Sequence, residues 1–400
     1  MSMELKVGKS DKSRSLEAGR EAAEKVVSED LKLVYVFAST DHELPELLEG
    51  VEEKVGDVPV VGCSSKVEVG TYGFSRGTAV VGGFSGDIDV GVGIGKNLEK
   101  DSYSAGKKAI KDAFDDLESE EVTPYTKRKD DGWKNSRDLF VNIFADPLKG
   151  SGRKMLDGIN DFMGPGFSTT GEFAADDMEF KKTFVFHDGE VYEGSVVCTV
   201  VKTGSRVGAG SAHGFRPTPN EYRVTESEGA RVKKIGGKTP KEVYGDIFGE
   251  EKAEDPGFLL MAPFGMKEEG EDEYTIRVTL DIDDEGGYVC GAEVPQHRKV
   301  HLMMGEKKSL LEASKKAAEN ALDNAGLEKG DVEACILFSC VGRDAIYNDE
   351  KLTDEEIENV RETLGKDTQI VGLYGFGQIA PKKGFADFKE ETLSLQIIGK

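Results

Sequence analysis

The chain of 400 residues has little that would staple it, and nothing that would carry it across a membrane as a helix. Its five cysteines, Cys63, Cys198, Cys290, Cys335 and Cys340, are scattered and form no CxxC pair. That excludes a disulfide framework and a zinc ribbon and points to a reducing compartment. Its purely apolar runs are only a few residues long, against the ~20 that a membrane-spanning helix needs. No apolar h-region follows Met1 in the charged opening stretch, so no secretory signal is expected. Tryptophan occurs once. Basic residues are outnumbered, 52 against 76 acidic, for a formal charge of −24. Such a field repels phosphate backbones and anionic lipid, so neither nucleic acid nor membrane is an expected partner. The expected location is the cytoplasm.

What is present is enough apolar residue, 38%, to build real cores in two or three domains. Residues 1–14 are polar and read as a loose start. Leu31–Phe37, Leu139–Phe144 and Ala334–Phe338 are apolar runs with the character of buried strands. Leu44–Val55, Ser104–Leu117 and Leu310–Gly326 carry apolar residues at helical spacing. Thr78–Phe84 and Ile88–Ile94 flank Ser85-Gly86-Asp87 and read as an antiparallel hairpin. Thr183–Phe186 and Val191–Val201 read as a second, around His187-Asp188-Gly189. Gly257–Phe264 reads as a strand. Thr353 followed by Glu356 reads as a capping box opening a helix to Leu364. Residues 118–137 are charged and read as a solvated loop or lid.

One pattern recurs three times. V-F-A-S (36–39), I-F-A-D (143–146) and L-F-S-C (337–340) end strands. Each is followed by a helix and then a glycine-led stretch: G-C-S-S-K-V-E (62–68), G-F-S-T-T-G-E (166–172) or G-L-Y-G-F-G-Q (372–378). In each, an acid or amide stands six positions after the first glycine: Glu68, Glu172, Gln378. A strand, a helix and a second strand make a βαβ unit with parallel strands. Polar residues at the carboxyl ends of such strands lie where open α/β sheets bind ligands. For the middle copy, Gly166 and Gly171 both remain candidates for the equivalent glycine. The plainer alternative is that these are turns that need glycine and nothing more.

The stretches L-V-Y-V-F-A-S, V-V-G-C-S-S-K-V-E-V, F-H-D-G-E-V-Y-E-G-S-V-V, F-S-C-V-G-R and G-L-Y-G-F-G-Q-I-A-P make the chain resemble the FIST proteins. These have a FIST N part and a FIST C part. The resemblance implies an α/β fold of two related halves, each a mixed sheet with βαβ units and hairpins flanked by helices. It divides the chain into an N-terminal segment (1–30), a FIST N-type domain (31–232) and a FIST C-type domain (233–400). It also implies a sensory module for a small polar ligand, such as an amino acid or small carboxylate, that passes its state to an unidentified signalling partner. The chain departs from the family at Gln378, where an acid is usual, and at Lys66-Val67.

The residues expected to contact that ligand are Cys63, Ser64, Ser65, Glu68, Ser168, Thr169, Glu172, Ser339, Cys340, Arg343, Tyr374, Gly375, Gly377 and Gln378. Arg343 is the candidate clamp for a ligand carboxylate; the plainer reading is a local ion pair. No catalytic residue, cofactor or metal is assigned. Two other readings stay open. One is an enzyme using Cys340, Cys63 or a Glu68/Glu172 carboxylate pair; the other is a protein-docking module. G-F-S-R-G (73–77) has the spacing of a nucleophile elbow around Ser75 but leads into a strand-like run instead of a helix. His297 and His301 lack a third ligand nearby.

Overall fold

A computed structural model describes residues 3–117, 138–267 and 273–400. The charged loop expected at 118–137 lies outside the described residues.

The fold is α/β, with mixed sheets flanked by helices. Three six-stranded sheets share one topology. In each, an edge strand and an antiparallel strand precede a parallel pair, and a two-stranded hairpin closes the far side. The first sheet runs Glu4–Ser10, Ala79–Ser85, Leu31–Ser39, Val60–Ser65, Val185–His187, Glu190–Tyr192. The second runs Ile88–Lys96, Ser195–Thr203, Leu139–Ala145, Ser168–Phe173, Gly377–Lys382, Phe385–Lys389. The third runs Val207–Ala212, Leu393–Gly399, Val332–Cys340, Gln369–Gly375, Val67–Gly70, Gly73–Ser75. The parallel pairs are the three βαβ units that the repeated motif predicts.

The closing hairpins are exchanged. The chain leaves Val60–Ser65 in the first sheet and completes the third. It leaves Gln369–Gly375 in the third and completes the second. It leaves Ser168–Phe173 in the second and completes the first. The like units are therefore sheets, three of them, and strands from both halves of the sequence build the second and third.

Each sheet has two faces to bury, which is why its central strands are apolar almost throughout. The outer faces pack on helices Ser15–Glu24 and Leu44–Val55, Leu98–Asp116 and Gly152–Met163, and Lys307–Ala325 and Glu350–Leu364. The inner faces meet in one central core. There Phe37, Phe144 and Phe338, the phenylalanines of the repeated motif, pack in tilted and edge-to-face contacts with ring centroids 5.6 and 6.0 Å apart. A fourth, antiparallel sheet of seven strands, Thr275–Arg277, Phe264–Met266, Lys299–Met304, Arg216–Glu228, Arg231–Ile235, Tyr288–Cys290 and Thr279–Ile282, stands beside this body with its own core.

Four local expectations are corrected. The start is no loose tail: Glu4–Ser10 pairs along its length with Ala79–Ser85. Its alternating lysines and apolar residues suit a strand with one wet face. Ala79–Ser85 and Ile88–Lys96 do not form a hairpin, because the turn between them passes from the first sheet to the second. Pro256–Met261 is a helix capped by Asp255, which accepts from the Gly257 amide. The last helix begins at Glu350 behind Asp349, so Thr353 and Glu356 lie within it. No helix among the described residues is long and apolar enough to cross a membrane.

Candidate functional site

The register of the parallel pairs fixes which residues of the three motifs correspond. Gly62 faces Val36, Gly171 faces Ile143 and Gly372 faces Leu337, each one residue before the motif phenylalanine. At each glycine a Cβ would lie closer than 3.0 Å to that facing residue's carbonyl oxygen, a distance real Cβ atoms essentially never show. This is why the glycine is written three times. It also settles the middle copy: the equivalent of Gly62 and Gly372 is Gly171. Glu172 then corresponds to Cys63 and Leu373. These three pair with Gln378, Val185 and Glu68 in that order, so the position equivalent to Glu68 and Gln378 is held by Val185, which carries no carboxyl or amide. Asp177 holds Lys66 in an ion pair of 2.9 Å.

The three strand exits meet. The residue four positions after each glycine donates its amide to the carbonyl two positions after another: Lys66 to Tyr374, Phe376 to Phe173, and Ala175 to Ser64, at 3.1, 2.9 and 3.0 Å. These three bonds close a ring. Cys63, Ser64, Ser65, Glu68, Glu172, Tyr374, Gly375, Gly377 and Gln378 belong to its strands, Ser339 and Cys340 end the neighbouring strand of the third sheet, and Arg343 lies in the short helix Val341–Tyr347 that follows it. Ser168 and Thr169 stand at the start of their strand, roughly 13–17 Å from its exit at Phe173 at about 3.3 Å per residue, and are not brought to the ring. Ser168 donates to Gln396 and Thr169 to the Phe167 carbonyl.

Most of these side chains have partners within the protein. Ser65 and Thr78 donate to Glu68, whose carboxyl is pushed up to about 7 by burial. Gln378 Nε2 donates to Glu172 at 2.9 Å, and the Phe184 amide donates to Ser64. Arg343 gives all three nitrogens to Glu356, Leu310, His213, Glu391 and Tyr347, so the carboxylate it holds is Glu356. Ser339 and Tyr374 donate to Glu356 as well. The exceptions are single oxygens of Glu172 and Glu391, which are buried without a hydrogen bond. Cys340 lies 3.8 Å from the other Glu391 oxygen. Burial holds the Glu172 carboxyl well above its usual range and that of Glu391 up to about 8. It also raises the Cys63 and Cys340 thiols well above theirs. A buried, protonated thiol is a poor nucleophile.

These carboxyls make stability depend on pH. A folded pKa raised above the unfolded value of ~4.3 means that the native state holds extra protons between the two values. The stabilisation is full below the unfolded pKa and is lost as pH rises through 7 to 8, by up to about 1.4 kcal/mol per pH unit for each such carboxyl. Urea midpoints are expected to fall between pH 5 and pH 8, less steeply in Glu391→Gln. A profile that is flat or rises over this range would contradict the reading.

A large concavity lies elsewhere. A cleft of about 590 Å³ lies between the second sheet with its helix Gly152–Met163 and the edge of the fourth sheet. None of the fourteen sequence-selected residues lines it. Its walls carry Arg153, Lys267, Arg277, Arg298, Lys382 and Lys383 against Asp157, Glu293 and Asp387, a local positive excess in a chain of charge −24. Apolar surface comes from Phe173, Phe385, Phe388 and Met266. No motif marked this cleft, because its cations come from five separate stretches of sequence.

The FIST N domain model matches residues 32–238, and the FIST C domain model matches 240–381. The chain belongs to the FIST family. FIST domains are small-ligand sensory domains of signalling proteins. No curated protein sequence matches this FIST chain. Among solved structures, a cyanuric acid hydrolase from A. caulinodans aligns over 99% of both chains at 7% identity and a TM-score of 0.40. PurLQS from Thermotoga maritima aligns over 100% of this chain and 72% of its own at 9% identity and a TM-score of 0.20. The cleft draws its walls from both FIST segments, with Pro147–Phe173 from the first and Met266–Arg298 from the second.

Proposed function

We propose that this FIST protein is a non-catalytic sensory module that receives a small anionic molecule in the cleft between its three-sheet body and its fourth sheet. One observation carries the reading: a cleft of about 590 Å³, inside the ~300–1,000 Å³ range of small-molecule sites, that gathers positive charge on an acidic protein. Its position supports a sensor. The fourth sheet has its own core, so a ligand touching both bodies changes how they are held together. Small carboxylates, including amino acids, fit the charge. The ring of strand exits is the frame in this reading: its strands fix the second sheet, and so one wall of the cleft, without touching the ligand.

A thermal-shift screen of small anions against the wild type and Ala292→Trp, which fills the cleft, tests this. A ligand at 100 times its dissociation constant is expected to add about 2.7 kcal/mol to the wild type and far less to the variant. Equal stabilisation of both would place the ligand elsewhere and defeat the proposal.

A further inference from the structure

Arg277 differs from the other cations of the cleft. It is 5% exposed, while its neighbours Lys267 and Arg298 reach solvent. Its Nε donates to the Glu293 carbonyl at 3.2 Å and its Nη1 to the Ile276 carbonyl at 2.7 Å. Nη1 also reaches Glu390 Oε2 at 3.4 Å, a long contact for an ion pair. Nη2 donates to no atom among the described residues. The guanidinium is thus fixed in orientation by two backbone carbonyls, with one nitrogen uncommitted at the cleft wall. Its carbon lies 5.7 Å from the centre of the Phe388 ring, which packs edge-on against Phe173. Phe385, 40% exposed, continues this apolar surface. At the opposite wall, helix Gly152–Met163 opens on the cleft. The amides of Gly152 and Arg153 precede its first bonded turn, which begins with Lys154 and Met155 donating to Ser151.

From this geometry we infer that Arg277 is the ligand anchor of the cleft, that the ligand is a carboxylate carrying an apolar body, and that Arg277 passes from Glu390 to the ligand on binding. The inference rests on the cleft being the ligand site. The carboxylate takes Nη1 and Nη2 side by side, the planar fork that suits arginine and that lysine cannot supply. The apolar body lies against Phe388 and Phe385. Glu390 sits directly behind the wall: a side chain at Gly291, which lines the cleft, would collide with its carboxyl.

Released from Arg277, a buried carboxylate has no counter-ion in reach and takes one proton from the buffer. One ligand anion and one proton therefore enter together. Burial already pushes the Glu390 carboxyl up to about 7, against the attraction of Arg277. The other charged or titratable groups around it are Glu391 beside it, Cys290 from the fourth sheet, and Lys389, which is paired with Asp387 at 3.1 Å. Glu391 and Cys290 are raised by burial and are neutral near pH 7, so neither replaces Arg277 as partner.

Titration calorimetry with phenylacetate and hexanoate as probes tests the inference, with phenylacetamide and inorganic phosphate as comparisons, at pH 8 in Tris and in HEPES. Phenylacetate is expected to bind at least about tenfold more tightly than the amide and more tightly than phosphate. Uptake approaching one proton should appear as a difference in heat between the two buffers. Arg277→Met should abolish binding. Should that variant not fold, Glu390→Gln, which keeps the shape of the side chain, decides. It should bind phenylacetate at least as well as the wild type with no proton uptake. Three results would overturn the inference: phosphate preferred to both carboxylates, proton uptake retained in Glu390→Gln, or no carboxylate bound. If some other small molecule stabilises the wild type but not Ala292→Trp, the cleft remains the ligand site and only this account of its ligand fails.

Discussion

Gly372→Ala is expected to destabilise the protein by more than about 4 kcal/mol, beyond what most single substitutions do. The new methyl would overlap the Leu337 carbonyl, a backbone atom of the strand that pairs with it in parallel. Overpacking usually costs ~1–3 kcal/mol because a side chain can rotate away. Here neither partner can move without breaking the strand pair, and that pair leads straight into the ring of three exchanged strands. Gly62→Ala and Gly171→Ala meet the same obstacle at Val36 and Ile143, so all three should fail alike. Gly204→Ala is the control: nothing lies within 4 Å of its Cβ and its backbone is unstrained, so the change should stay within about 0.5 kcal/mol. Urea unfolding measures all four. A wild-type midpoint for Gly372→Ala would show that the motif glycines are not there to admit a neighbouring carbonyl.

These glycines mark where the sequence was legible and where it stopped. The strand, helix and glycine-tipped strand could be read three times over, because burial on two faces leaves an apolar run and close approach leaves a glycine. The exchange of hairpins was not legible. Ser85-Gly86-Asp87 has the chemistry of a tight turn, and nothing local tells a turn within a sheet from one between sheets. For the middle motif the sequence offers both Gly166 and Gly171, and only the pairing with Ile143 separates them. Ser168 and Thr169 belong with the motif only when it starts at Gly166. The start of the last helix was misplaced because N-D-E-K-L-T-D-E offers several capping residues, and Asp349 caps it instead of Thr353. The cleft was illegible for a different reason. Its cations are single residues on separate strands and loops, and only the docking of the fourth sheet collects them.

The shifted start of that helix carries the second large effect, because it turns Glu356 from a capping residue into the partner of Arg343. Both side chains are fully buried. Arg343 Nε donates to Glu356 Oε1 at 2.9 Å, and Nη2 makes a second, shorter bond to the same oxygen. Tyr347 and Tyr374 donate to the carboxylate at 2.6 Å each and Ser339 at 3.0 Å. Arg343 also bonds the carbonyls of Leu310 and His213, tying the helix Lys307–Ala325 to the strand exit. Removing one member of a buried pair leaves the other charged and out of water, at a cost of about 3–5 kcal/mol. Arg343→Met and Glu356→Gln are each expected to lose that much. The double variant should lose much less than the sum, since the amide can still accept from one tyrosine and donate to the turned hydroxyl of the other, and no charge remains. Arg343→Lys should behave like Arg343→Met, because an ammonium cannot fill three sites fixed for a planar fork. If the two single losses simply add in the double variant, the pair is not a coupled unit. Arg343 would then act through its separate bonds to the helix carbonyls.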